Sequence, residues 1–305
     1  GQISGIIRRN EEVRPGGWDP QARLADQDLD HVRAEVMFPN LSLSFFVIPD
    51  AEYQRECMWV LNDWMAEFCA AAPKRLIGSA MLPTRGPIEW AVAEAERAAK
   101  LGLRPVLIPC GVPERPYRDS AYEPLWAALE DLNMPVALHT AAAERLPFET
   151  FIGGLPFNAW ATVNKILPIM EGLTGLIASA VPQNHPKLRF VMVEGGIGWI
   201  ASVMRLMDHW WEDHRKWLEP RLEERPSAYF HRQFWATFED DRPGLLTREM
   251  LNVDHLMWGS DYPHTEGTWP RSKEQIARDF AGVPEGEVRK MVVENAAQLY
   301  GIEVA

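Results

Sequence analysis

The chain has 305 residues, 47% of them apolar and 24% charged, with a net charge of -12. That suits one large globular domain or two small ones, and the acidic balance argues against a nucleic-acid partner. No run approaches the ~20 apolar residues of a membrane span. The opening "GQISGIIRRNEEVRPGGWDP" has no apolar signal core. Cys57, Cys69 and Cys110 form neither a disulfide framework nor a zinc-finger spacing. The expectation is a cytoplasmic protein with a small-molecule substrate and no membrane partner.

In chain order, residues 1–30 read as an irregular arm of a single domain spanning 1–305. Short apolar runs then predict strands at 32–39, 75–83, 103–110, 134–140, 188–196, 234–240 and 255–261. Most are too apolar for clean alternation, as in strands covered on both faces. Helices are predicted between and after them. Residues 52–71 follow Asp50, a plausible N-cap, and 88–101 end at Gly102. In 197–212 an apolar face recurs through Ile200, Val203, Met204, Met207 and Trp211, and 284–300 lie between Pro284 and Gly301.

This alternation predicts a parallel sheet flanked by helices. An open doubly wound sheet and a (β/α)8 barrel both fit. No glycine-rich phosphate loop follows the first strand, which weakens the dinucleotide-binding form of the open sheet. A barrel needs one strand more than the seven predicted.

In a barrel the C-terminal strand ends carry the chemistry. His139 closes "PVALHT", where, taken alone, a structural histidine is the favoured reading. Glu194 closes "RFVMVEGG", a costly place for an unpaired carboxylate. Asp261 closes "LMWGSD", and His264 follows three residues later. Glu239, Asp240 and Asp241 read as a solvated loop or helix cap, and His31, His185, His209, His214 and His231 as structural. Together, His139, Glu194 and Asp261 point into one mouth, and an imidazole with carboxylates suits zinc, manganese or iron(II).

"HPKLRFVMVEGGIGWI", "MWGSDYPHTEGTWP" and "VVENAAQLYGI" resemble the amidohydrolase superfamily, in particular its branch containing aminocarboxymuconate semialdehyde decarboxylase. The resemblance covers about residues 18–303. It implies a distorted (β/α)8 TIM-type barrel with a metal at its C-terminal mouth. His139 and Asp261 match its metal-ligating histidine and aspartate, and Asp261 would also take a proton from metal-bound water.

Two features depart from the pattern. The His-x-His or Glu-x-His of the first strand is missing, so strand one is expected to be absent from this chain. Either an N-terminal portion lies outside it, or the protein has given up those ligands. Where decarboxylases of the branch carry a histidine after strand six, this chain has Glu194, which could bind one metal or bridge two.

That replacement leads to the expectation of a metal-dependent hydrolase of a small organic acid, ester, amide or thioester, with zinc as the favoured metal. Asp261 would be general base and Glu194 a ligand or second acid/base. His264 would contact the substrate or a developing oxyanion, and Trp199 and Trp269 would line the pocket. The alternatives are a non-oxidative decarboxylase of an aromatic or unsaturated acid, and a non-catalytic barrel. By analogy with related barrels, a homodimer is expected.

Overall fold

The computed structural model describes residues 14–112, 114–140, 142, 166–264 and 267–304. Helix α1 (Pro20–Leu29) precedes strand β1 (Glu35–Met37) and helix α2 (Ala51–Ala70). Then follow β2 (Leu76–Gly78), β3 (Ala80–Met81), α3 (Ile88–Leu101), β4 (Val106–Ile108), α4 (Glu123–Asp131) and β5 (Val136–His139). Helices α5 (Ile166–Ala178) and α6 (Val181–Asn184) lead to β6 (Phe190–Val193), α7 (Ile200–His214), α8 (Pro226–Gln233) and β7 (Phe234–Phe238). The chain continues through α9 (Arg242–Thr247), β8 (Leu256–Trp258), α10 (Ser272–Asp279), α11 (Glu285–Arg289) and α12 (Asn295–Tyr300).

All strand pairs are parallel and sequential. The run predicted at 75–83 is interrupted at Ser79, so β1 pairs with β2 while β3 opens the ladder β3-β4-β5-β6-β7-β8. Among the described residues the outer edges of β1 and β8 do not pair with each other.

Alternate strand residues feed two separate apolar clusters, as a sheet curved around its own interior requires. Met81, Leu107, Ala137, Val191, Val193 and Met257 belong to the inner one, with Leu299 and Tyr300 of α12. Val106, Ile108, Val136, Leu138, Phe190, Met192, Phe234 and Phe238 belong to the outer one beneath the helices. The fold is that of a TIM-type barrel wall.

Local signals explain several boundaries. The Asp50 carboxylate accepts the Tyr53 N–H at 2.9 Å and caps α2. Gly102, at φ 82°, stops α3 in the left-handed region that glycine enters without strain. The arm expected to be irregular is a correction: residues 20–29 form α1, capped by Asp19, although residues 1–13 lie outside the described residues. The helix predicted at 284–300 is broken by a π-helical turn at Lys290–Glu294.

Candidate active site

His139 ends β5 two residues after inward-facing Ala137, so strand alternation turns it into the mouth. On β6, Val193 faces inward, and simple alternation would send Glu194 outward. Glu194 instead adopts φ 59°, which breaks the strand and turns its side chain toward His139. Asp261 has φ 52° beyond β8. A left-handed conformation costs a non-glycine residue about 1–3 kcal/mol and persists where neighbours enforce it.

The neighbours that enforce it are specific. Thr237 Oγ1 on β7 accepts the Glu194 backbone N–H at 2.8 Å. Asp241 Oδ2 accepts the N–H groups of Ile197 and Gly198 at 2.6 and 2.8 Å, and its Oδ1 accepts that of Gly244 at 2.8 Å. Asp241 is thus a helix cap that also clamps the loop after Glu194. Beside Asp261, a Cβ on Gly267 would lie 2.7 Å from the Asp261 carbonyl oxygen and 2.8 Å from that of Ser260. Only glycine permits that approach.

The side chains meet in pairs. His139 Nε2 lies 3.0 Å from Glu194 Oε2, and its Nδ1 lies 2.6 Å from the Thr140 carbonyl oxygen. Both ring nitrogens therefore face acceptors, whereas a neutral imidazole donates from one only. An imidazolium satisfies both, and so does a cation shared between Nε2 and Glu194. Across the mouth, His264 Nδ1 donates to Asp261 Oδ1 at 2.7 Å. Asp261 Oδ2 is buried and has no hydrogen-bond partner among the described residues. A carboxylate oxygen stripped of water is costly unless a proton or cation joins it.

One donor atom from each of Glu194, Asp261 and His264 lies within 4.8 Å of the others. Two carboxylates and an imidazole form a donor set suited to a divalent metal, and the orphaned Asp261 oxygen fits such an ion. Of the expected ligands His139, Glu194 and Asp261, the structure gathers the two carboxylates with His264, while His139 reaches this trio through Glu194.

The two tryptophans expected in the pocket make other contacts. Trp199 donates its indole N–H to the Gly195 carbonyl at 2.8 Å and packs on the outer core. Trp269 donates to the Asp26 carbonyl of α1 at 3.1 Å and lies under the Arg14 guanidinium. Phe38, just after β1, is the ring beside His139, at 5.6 Å between centroids. Asn40, whose Nδ2 lies 2.5 Å from His264 Nε2, is a second residue that sequence reasoning passed over. Phe38 lies at the end of the strand predicted at 32–39 and Asn40 directly follows it, the same strand-end signal that singled out Asp261.

A cavity of about 520 Å³ opens at the opposite, N-terminal end of the strands, among Arg189, Trp235, His255, Lys290 and Gln298. His255 stacks on Trp235 there, with 3.7 Å between ring centroids.

A parallel α/β wall with carboxylates and imidazoles at its C-terminal mouth defines a class of barrel enzymes, and the comparisons place the chain within it. Residues 10–302 match the amidohydrolase family model, and the chain belongs to that family. It is 28% identical over 314 residues to the gamma-resorcylate decarboxylase of Rhodococcus jostii, covering 94% of this chain and 91% of that protein. It is likewise 28% identical to a gamma-resorcylate decarboxylase of a Rhizobium strain, covering 85% and 80%.

Among solved structures, an amidohydrolase from Mycobacterium avium subsp. paratuberculosis superposes with a TM-score of 0.82 at 22% identity, over 97% of this chain and 77% of that one. A dihydroxybenzoic acid decarboxylase from a Polaromonas strain, with bound manganese and 2-nitroresorcinol, gives 0.77 at 22%, over 99% and 92%.

These relatives overturn the expectation of a hydrolase, which rested on Glu194 standing where a strand-six histidine was anticipated. The physical reason lies in the geometry. An imidazole need not come from strand six, because His264 brings one to the Glu194–Asp261 pair from the loop after β8.

Proposed function

We propose that this chain is a metal-dependent, non-oxidative decarboxylase of a hydroxylated aromatic carboxylic acid. The observation that carries the reading is Asp261 Oδ2, buried and without a hydrogen-bond partner among the described residues, at the mouth between Glu194 and His264. The names of the relatives support the substrate class, since gamma-resorcylate is an ortho-hydroxylated benzoate.

Removing carboxylate from an aromatic ring requires a proton at the ring carbon that bears it. As that proton bonds, the ring loses aromaticity; the carbon–carboxylate bond then breaks, its electron pair restores the ring and carbon dioxide leaves. Asp261 is the group we assign to deliver that proton, from Oδ2 when no cation occupies that oxygen. His264, bonded to Oδ1, fixes the direction in which Oδ2 points. Glu194 and His139, 3.0 Å apart, form the other wall, and Phe38 offers an apolar face to an aromatic ring.

Glu194, His139 and Asp261 would hold a divalent metal; His264, its two ring nitrogens engaged by Asp261 and Asn40, would orient Asp261 instead of binding the ion. When bound, the metal supplies positive charge that orients the substrate's anionic oxygens and withdraws electrons from them. The manganese in the Polaromonas structure supports a hard cation, and zinc also suits these donors.

The test is carbon dioxide release from 2,6-dihydroxybenzoate and 5-carboxyvanillate by manganese-loaded protein, with Asp261→Asn as control. Release that the substitution abolishes is the expected result. Protein that binds manganese yet releases none from ortho-hydroxybenzoates overturns the reading.

A further inference from the structure

Asn40 and His264 stand 224 positions apart in the chain and touch across the mouth, the former beyond β1 and the latter beyond β8. These are the two strands whose outer edges are not paired with each other among the described residues. The contact therefore ties together loops that no described strand pairing joins.

Its chemistry has a direction. An amide nitrogen carries only donors, so Asn40 Nδ2 facing His264 Nε2 at 2.5 Å leaves that nitrogen the role of acceptor. In the neutral ring the proton then sits on Nδ1, which points at Asp261 Oδ1 at 2.7 Å. Were the amide turned to present its carbonyl oxygen, the ring would carry its proton on Nε2. Nδ1 would then face the carboxylate lone pair to lone pair. The orientation of one amide thus decides whether Asp261 Oδ1 is bonded and Oδ2 is the oxygen left over.

We infer that Asn40 is a positioning residue that sets the tautomer and orientation of His264 and, through that ring, reserves Asp261 Oδ2 for substrate and metal. The inference rests on the reading above that Oδ2 does the work. Asn40 itself acts through His264, which in turn orients the Asp261 carboxylate.

The test uses the full chain, metal-free, labelled with 15N-histidine. Ring nitrogen shifts of His264, assigned by their loss in His264→Gln, are expected to show Nδ1 protonated and Nε2 bare. The opposite tautomer in the unsubstituted protein overturns the inference without recourse to any variant. In Asn40→Leu, which keeps the bulk and removes the donor, a mixture of tautomers is expected. Affinity for manganese alone, followed by the resonance of free Mn2+, is expected to fall about tenfold. An unchanged tautomer with unchanged affinity overturns the inference as well. Both readouts are independent of decarboxylation, so a protein that fails the carbon dioxide assay still tests the role of Asn40.

Discussion

Thr237 accepts the backbone N–H of Glu194 at 2.8 Å, so the end of β6 is held by a side chain of β7. This bond holds Glu194 where strand alternation would not place it. Thr237→Val keeps the shape and removes the acceptor. A buried N–H left without a partner costs about 1–3 kcal/mol. Urea unfolding should show a loss of that size, and Thr237→Ser should recover most of it. A Val variant as stable as the parent would mean that another group holds Glu194.

Asp241 gathers three backbone N–H groups, two from the loop after Glu194 and one from the start of α9. Asp241→Ala orphans all three and should cost about 3 kcal/mol in the same experiment. Asp240→Ala, one residue earlier, removes an exposed pair with Arg278 and should change stability by less than about 0.5 kcal/mol.

Gly267→Ala places a methyl against two carbonyl oxygens of the Asp261 loop. The loop must move, while the core beneath it need not. The variant should keep its unfolding transition within a few degrees and lose manganese binding by at least tenfold, measured by titration. Retained affinity would show that the Asp261 loop tolerates displacement.

Burial lowers the pKa of His231 and of His255, and for both desolvation is the largest cause. A histidine depressed in the folded state takes up its proton more readily once unfolded. Stability is therefore full above the ordinary histidine value of about 6.5 and falls as pH drops below it. Urea midpoints between pH 7.5 and 5 should decline, and His255→Gln should flatten part of the slope. A variant with the parent's slope would remove His255 from the account.

The strands were readable because a covered parallel strand needs a run of apolar residues, and all seven runs contain one. Helix α1 was not, because its buried face is polar. Arg23, Asp26 and Gln27 are all buried there, with Arg23 paired to Glu35 and Asp26 to Arg14. Such a helix has no apolar stripe to betray it. Asp261 and Glu194 stood out as carboxylates at the ends of apolar strands. The contact of Asn40 with His264 depends on two loops at opposite ends of the chain, and no local pattern encodes it. The choice between hydrolysis and decarboxylation failed for a related reason. It was argued from one strand end, whereas the imidazole arrives from another.

Glu194 and Asp261 both sit in the left-handed region. Asparagine, aspartate and glycine enter that region most readily, and branched side chains hardly at all. The main chain therefore screens candidates for these two places before any chemistry is tried. Most single substitutions there confound a lost function with a lost conformation. Asn is the replacement at Asp261 that isolates the carboxylate, and a library built at either position will be enriched for turn-formers whether or not they react.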